Sequence, residues 1–220
     1  MPNAHRPESS SLLSLPSYGR WAEGYGVITH QARTNERVLA LAERLVEQGR
    51  VPDAGFVFDV LAAADRLASA AMWVVVHMTY AQRVYLDGRP MKAEDFKASP
   101  QGHTGGSLNM VPAYVGYLAA NALTGQTRGW LMGQGHCVAA IDAVNVLIGN
   151  VSPGQKGRYT ATDEGLTRLV QDFYSYAITP EGLPGVPLGS HVNVHTAGGI
   201  SEGGYLGFAE VQYVHMPLPG

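Results

Sequence analysis

Eight residues constrain the fold of this chain more than any others: Gly102-His103-Thr104-Gly105-Gly106-Ser107-Leu108-Asn109. They set a histidine among glycines, directly before a long apolar run that reads as a buried helix. A glycine carries no Cβ, so the backbone there can bend sharply and pass close to a neighbour or a ligand. Histidine is the side chain whose charge changes near neutral pH, and it both donates and accepts hydrogen bonds. Two later stretches repeat the arrangement, Gly133-Gln134-Gly135-His136 and Gly189-Ser190-His191. Three glycine-flanked histidines, each at a similar place in a successive segment, argue for a site rather than for packing.

Around these motifs the apolar pattern sets the expected elements. Residues 1–26 mix Pro, Ser, Gly and charge without periodicity and read as an arm. Val38, Leu41, Leu45 and Val46 recur at helical spacing and predict a surface helix over 34–48, with Gly49 as its C-cap. A second helix is expected over 56–86, broken once. Its 68–78 portion is apolar nearly all round, which marks a buried helix. His77 lies in that portion and reads as a core histidine bonded to backbone. Asp87-Gly88-Arg89-Pro90 is a turn. Proline fits the first turn of a helix, where its missing N–H costs nothing. Asn109 as N-cap would place Pro112 there, so a helix is expected over 110–123.

Residues 127–132 read as a short strand and 133–135 as a glycine turn, followed by a buried helix over 138–148. That is a βα unit of an α/β sheet, and it puts His136 at a strand's carboxyl end, where ligands bind in such sheets. Thr162 or Asp163 can cap a helix over 164–176. Residues 179–189 are dense in Pro and Gly, and 191–195 alternate like a strand. A last helix is expected over 200–214. It carries Gly203, Gly204 and Gly207 on its early turns, at roughly 1 kcal/mol each relative to Ala, which implies close approach of a helix or a ligand. The expected fold class is therefore α/β, a parallel sheet flanked by helices. An arm and surface helix occupy 1–55, and the main domain occupies 56–220.

Composition narrows the function classes. A net charge of −3 supplies no basic footprint for nucleic acid or for an anionic membrane. Charged residues are 15% of the chain against roughly 25% in typical soluble domains, as expected of a protein that buries surface in an assembly. With Cys137 the single cysteine, no intramolecular disulfide can form. The first fifteen residues lack a secretory pattern, and the apolar run 67–78 falls short of the about 20 residues that span a bilayer. A cytoplasmic protein is expected, with no membrane partner.

Several chemistries fit poorly. Gly133-Gln134-Gly135 resembles the start of a dinucleotide fingerprint, but Val138 stands where the third glycine or alanine belongs. His191 and His195 would share a face of a strand and could approach a metal, yet the zincin glutamate is missing. No G-x-S-x-G elbow occurs. Cys137, beside His136, invites a thiol nucleophile but reads as a small buried hydrophobe at the start of an apolar helix. No resident metal ligand set is expected from these patterns.

The order and spacing of Gly102-His103-x-Gly-Gly, Gly133-Gln134-Gly135-His136, Ser190-His191 and Glu202-Gly203-Gly204-Tyr205-Leu206-Gly207 resemble the phosphoketolases and, more distantly, the diphosphate-binding half of transketolase. The likeness runs from about residue 65 to the C-terminus. It implies the three-layer thiamine-diphosphate-binding fold and thiamine diphosphate (ThDP) with Mg²⁺ as cofactor. The implied activity is that of an aldehyde-lyase: xylulose 5-phosphate or fructose 6-phosphate is cleaved with inorganic phosphate to acetyl phosphate and an aldose phosphate. By the same resemblance His103 and His136 bind substrate hydroxyls and handle protons, and His191 holds the sugar or its two-carbon fragment. Gly105, Gly135, Gly203, Gly204 and Leu206 lie against the cofactor. Sugar phosphate and phosphate are the implied small-molecule partners. A homo-oligomer, or a complementary chain, supplies the pyrimidine-binding domain.

The chain departs from the pattern at several points. Cys137-Val138-Ala139 stands where the family has Gly-Gly-Pro, and His195-Thr196-Ala197-Gly198 where it has Glu-Thr-Pro-Gly. Ser201 replaces a histidine and Tyr205 a glutamate. The Gly-Asp-Gly motif that holds Mg²⁺ and the diphosphate in the family does not occur in these residues. The chain alone is therefore expected to bind ThDP weakly and to turn nothing over. Three other readings stay open: a divergent relative acting on xylulose 5-phosphate as an epimerase or transketolase-type enzyme, a catalytically inactive interaction module, and a small zinc hydrolase using His191 and His195.

Overall fold

Helices take up the apolar runs. The computed structural model describes residues 9–128, 135–151, 153–175, 177–178 and 180–182. In chain order the helices are α1 (Ser9–Leu13), α2 (Pro16–Ala22), α3 (Ala32–Glu47), α4 (Ala54–Tyr80), α5 (Thr104–Thr124), α6 (Ala139–Leu147) and α7 (Asp163–Asp172). Single 3₁₀ turns form at Ala93–Asp95 and Gly135–Cys137. The chain divides into two compact units. One comprises residues 9–69 with 115–128, and the other comprises 70–114 with the described residues from 135 onward.

In the first unit, the stretch expected to be an arm is helical from Ser9 and gives its apolar side chains to a core. Leu12, Trp21, Ala42, Val51, Ala54, Val57, Phe58, Ala62 and Leu123 are buried together there. Trp21 is 2% exposed and stacks on the His30 ring, with centroids 4.4 Å apart. His30 Nε2 meets Asp65 Oδ2 at 2.8 Å, so the ring is held on its face and at its edge. α3 starts two residues before its expected position. It ends in a reversal, with Gly49 at φ +61° and Arg50 N–H donating to Leu45 O at 2.9 Å.

α4 is 27 residues long and, with a mean hydropathy of 1.3 over its most apolar window, meets the length and composition needed to cross a bilayer. Its Val57, Phe58 and Ala62 nonetheless belong to the core just described, and Asp59 on the same helix pairs with Arg20 at 2.7 Å. α4 stops at Tyr80, six residues before the expected end. Its last carbonyls are taken by Lys97: the backbone N–H donates to Tyr80 O at 2.8 Å and the ammonium to Met78 O at 2.6 Å.

The second unit replaces the expected sheet. The parallel α/β sheet, and with it the three-layer fold, is not what the described residues form. They hold no β-strand, only isolated bridges such as Tyr25 with Ile28 and Ala81 with Phe96. The glycine motifs are taken up by helix starts, with Gly102 just ahead of α5 and Gly135–Cys137 a 3₁₀ turn ahead of α6. Residues 82–86, expected as the end of the second helix, instead pair with α7. Leu86 N–H donates to Asp163 Oδ1, Val84 N–H to Thr167 Oγ1, and Gln82 O accepts from Gln171 Nε2, at 2.9, 3.0 and 3.0 Å. Positions four apart on a helix rise about 6 Å, close to the advance of two residues in an extended chain. One face of α7 thus satisfies alternate backbone groups that a neighbouring strand would otherwise take. α7 itself begins at Thr162, whose hydroxyl accepts from Gly165 N–H at 3.1 Å. Thr127 and Arg128, the start of one expected strand, are irregular, and the rest of that strand lies outside the described residues. The expected strand 191–195 and helix 200–214 also lie outside them.

α5 differs most from expectation. It begins at Thr104, and Pro112 sits inside it on an exposed face, where the unbonded carbonyl of the preceding turn can meet water. Asn109 is therefore a mid-helix residue, and the glycine–histidine motif is the helix start.

Candidate functional site

Two glycines fix where His103 sits. Gly102 has φ +122°, a conformation that side-chain-bearing residues rarely adopt, and a Cβ there would stand 3.2 Å from Phe173 Cε1 and from Thr79 Oγ1. The chain turns at that point, and His103 O accepts the first helical bond from Ser107 N–H at 3.0 Å. Thr104 Oγ1 donates to Thr79 Oγ1 at 3.0 Å, tying the start of α5 to the end of α4. One turn on, Gly106 has no room for a side chain. A Cβ there would lie 2.5 Å from His103 Nδ1 and 2.6 Å from Cys137 Sγ.

The 3₁₀ turn Gly135–Cys137 brings in the second histidine ahead of α6. The rings of His103 and His136 lie 4.5 Å apart between centroids, tilted by 54°. Cys137 Sγ stands 4.0 Å from His103 Nδ1. His136 is 8% exposed, and its buried Nδ1 has no hydrogen-bond partner among the described residues. Burial first, and the neighbouring His103 second, push the His136 pKa below its ordinary value of 6.5. A neutral imidazole with an open nitrogen is thereby poised to accept a proton or a ligand near pH 7.

Of the residues expected at the site, His103 and His136 are brought together. Gly105 is exposed in the first turn of α5, with open space where a Cβ would be, and Gly135 opens the 3₁₀ turn. His191, Gly203, Gly204 and Leu206 lie outside the described residues. His77 bonds Trp73 O at 2.8 Å as expected of a backbone-bonded histidine, although it is half-buried rather than in the core. Two features were missed from the sequence. One is Cys137 as a third partner of the histidine pair. The sequence sets the cysteine beside His136, but its approach to His103 joins residues 34 positions apart. The other is an open cleft of roughly 350 Å³ lined by Gln82, Lys97, Gln101, Gln171 and Tyr174. Burial lowers the Lys97 pKa to about 8.

The ThDP–Mg²⁺ group implied by the resemblance can be tested against this chemistry. Mg²⁺ demands oxygen ligands in near-octahedral geometry. Among the described residues, the group that could hold a metal is His103, His136 and Cys137, a set of two nitrogens and one sulfur. That set does not fit Mg²⁺ or the diphosphate it would carry. The family model for the XFP N-terminal domain matches residues 58–214, a span that contains every histidine of the motifs. No curated protein and no solved structure matches the chain. Because the matched span covers well over half of its length, the chain belongs to the phosphoketolase family as an N-terminal section.

Proposed function

We propose that this chain is the N-terminal part of a phosphoketolase-like enzyme. That enzyme would cleave xylulose 5-phosphate or fructose 6-phosphate with inorganic phosphate, giving acetyl phosphate and an aldose phosphate. The observation that carries this reading is the family match over residues 58–214, in which two motif histidines lie 4.5 Å apart at the start of two helices. His103 and His136 would bind sugar hydroxyls and move protons between them. The lowered pKa of His136 suits the proton-accepting role at neutral pH. His191 would hold the far part of the sugar. ThDP supplies the carbon–carbon cleavage chemistry in this family, and residues outside those described, or a second chain, would have to hold its diphosphate and Mg²⁺. A cytoplasmic enzyme working as an oligomer, or completed by a complementary chain, belongs to the same reading.

The test is acetyl phosphate formation from xylulose 5-phosphate, phosphate, ThDP and Mg²⁺, using the gene read to its natural end together with any companion frame. Acetyl phosphate is expected from the completed enzyme and its loss from His103→Ala or His136→Ala. No product from the completed enzyme overturns the reading. For the chain of 220 residues by itself, calorimetry is expected to show no ThDP affinity at micromolar level.

A second reading, a catalytically inactive interaction module, is favoured by one observation. Cys137 stands where the family has glycine, and its sulfur packs against His103 in a site that leaves no room for a methyl at Gly106. A completed enzyme without activity that still binds a full-length relative would support it.

A further inference from the structure

The histidine pair has a third member that the phosphoketolase reading does not use. Cys137 Sγ and one ring nitrogen from each of His103 and His136 all lie within 4.8 Å of one another. Sulfur and imidazole are the ligands that zinc and its soft relatives prefer, and three protein ligands with an open fourth position is the form of a zinc site that takes water or substrate. Bonds of about 2.3 Å to sulfur and about 2.0–2.1 Å to nitrogen in tetrahedral geometry require ligand atoms roughly 3.4–3.6 Å apart. The 4.0 Å between Cys137 Sγ and His103 Nδ1 would need to close by about half an ångström, and the widest separation, at most 4.8 Å, by up to about 1.4 Å, which side-chain rotations of the imidazoles and the thiol would supply.

Packing alone accounts poorly for this cluster. A buried cysteine is often a plain small hydrophobe, and a buried histidine is usually satisfied. Here His136 is more than nine-tenths buried and its Nδ1 has no partner among the described residues. Leaving a buried polar atom unpaired is costly, and a bound ligand would recover that cost. Gly106 contributes by absence: any side chain there would run into both Cys137 Sγ and His103 Nδ1. The three ligands come from the start of α5 and from the 3₁₀ turn ahead of α6, on different parts of the chain.

We propose that this chain binds one Zn²⁺ between His103, His136 and Cys137, with the fourth position open to water or to an oxygen of a small molecule. The site goes beyond the phosphoketolase reading and does not depend on it. Metal binding is measured without ThDP or sugar, so failure of either idea leaves the other standing.

The experiment uses the full chain stripped of metal with chelator and titrated with Co²⁺, then with Zn²⁺. Because Cys137 is the single cysteine, a sulfur-to-cobalt charge-transfer band can arise only from this site, whatever the other six histidines bind. The expected result is such a band saturating at one Co²⁺ per chain, with visible absorption of a four-coordinate ion, and its loss on adding Zn²⁺. Cys137→Ser should abolish the charge-transfer band, and His136→Gln should weaken Zn²⁺ binding at least about tenfold against a chromogenic chelator. Circular dichroism on each variant checks that the helices persist. His103→Gln, outside the buried turn, serves as a second ligand variant should Cys137→Ser fail to fold. No charge-transfer band in the unaltered chain overturns the proposal. So does Zn²⁺ affinity unchanged in both histidine variants.

Discussion

Two histidine clusters in this chain are alike in burial and differ in what they leave unsatisfied. In the first unit His30 is stacked on Trp21 and bonded to Asp65 at 2.8 Å, with the His30 side chain 9% exposed. In the second unit His136 is equally buried, but it packs against another imidazole and a thiol, and one of its nitrogens meets nothing described. The first arrangement uses its polar atoms to close a core. The second leaves His136 Nδ1 without a partner among the described residues, at a cost to stability. Burial alone therefore does not separate a structural histidine from a functional one; the accounting of its nitrogens does.

The largest effect that would sharpen this contrast is on the structural side. Trp21→Ala removes the ring that His30 stacks on, together with the tilted contact to Tyr18 and the stacked contact to Phe58. Urea denaturation should show a loss of about 3–5 kcal/mol, as for large aromatic truncations in a core. A loss under 1 kcal/mol would break the claim that this cluster closes the unit. Next in size is Gly106→Ala, which drives a methyl against His103 and Cys137 and should cost about 1–3 kcal/mol by overpacking. The variant should also separate the two rings, read as altered imidazole chemical shifts. Unchanged shifts with full stability would mean that the cluster is looser than its geometry.

How much of this was legible in the sequence follows the same division. The glycine–histidine motifs named His103 and His136 as partners because sharp turns and close approach are written in residue types. The Thr162 cap and the buried face of α6 were equally readable, from a hydroxyl before an acidic turn and from a run apolar with few exceptions. The start of α5 was misplaced because proline was held to the first turn. Pro112 in fact sits on an exposed face where its broken bond is tolerated. The sheet was expected because glycine turns followed by helices resemble βα units. The glycine motifs instead open helices, and the end expected for the second helix is replaced by residues 82–86 bonded to Asp163, Thr167 and Gln171 on α7, a pairing across about eighty positions that no local pattern reveals. Cys137 joined the histidines by the same kind of distant contact.

The smallest expected effects give the contrast its clearest test, because the two clusters should bend stability with pH in opposite directions. For His136 the folded pKa is lowered, chiefly by burial and then by His103. The unfolded chain then binds more protons between the lowered value and about 6.5, so this contribution is present above 6.5 and is lost as pH falls through that window. His136→Gln should flatten the loss. For Asp65 the folded pKa is raised from 3.8, burial outweighing the bond to His30. Here the native state binds more protons, so stability declines as pH rises from about 3.8 through the raised value. Asp65→Asn, which keeps an acceptor for His30, should remove that decline. Urea midpoints from pH 3.5 to 7.5 read both slopes on the same chain. A His136→Gln curve that keeps the full acid loss would show that the open nitrogen is not the source of the strain. Two slopes of the same sign would erase the distinction between the clusters altogether.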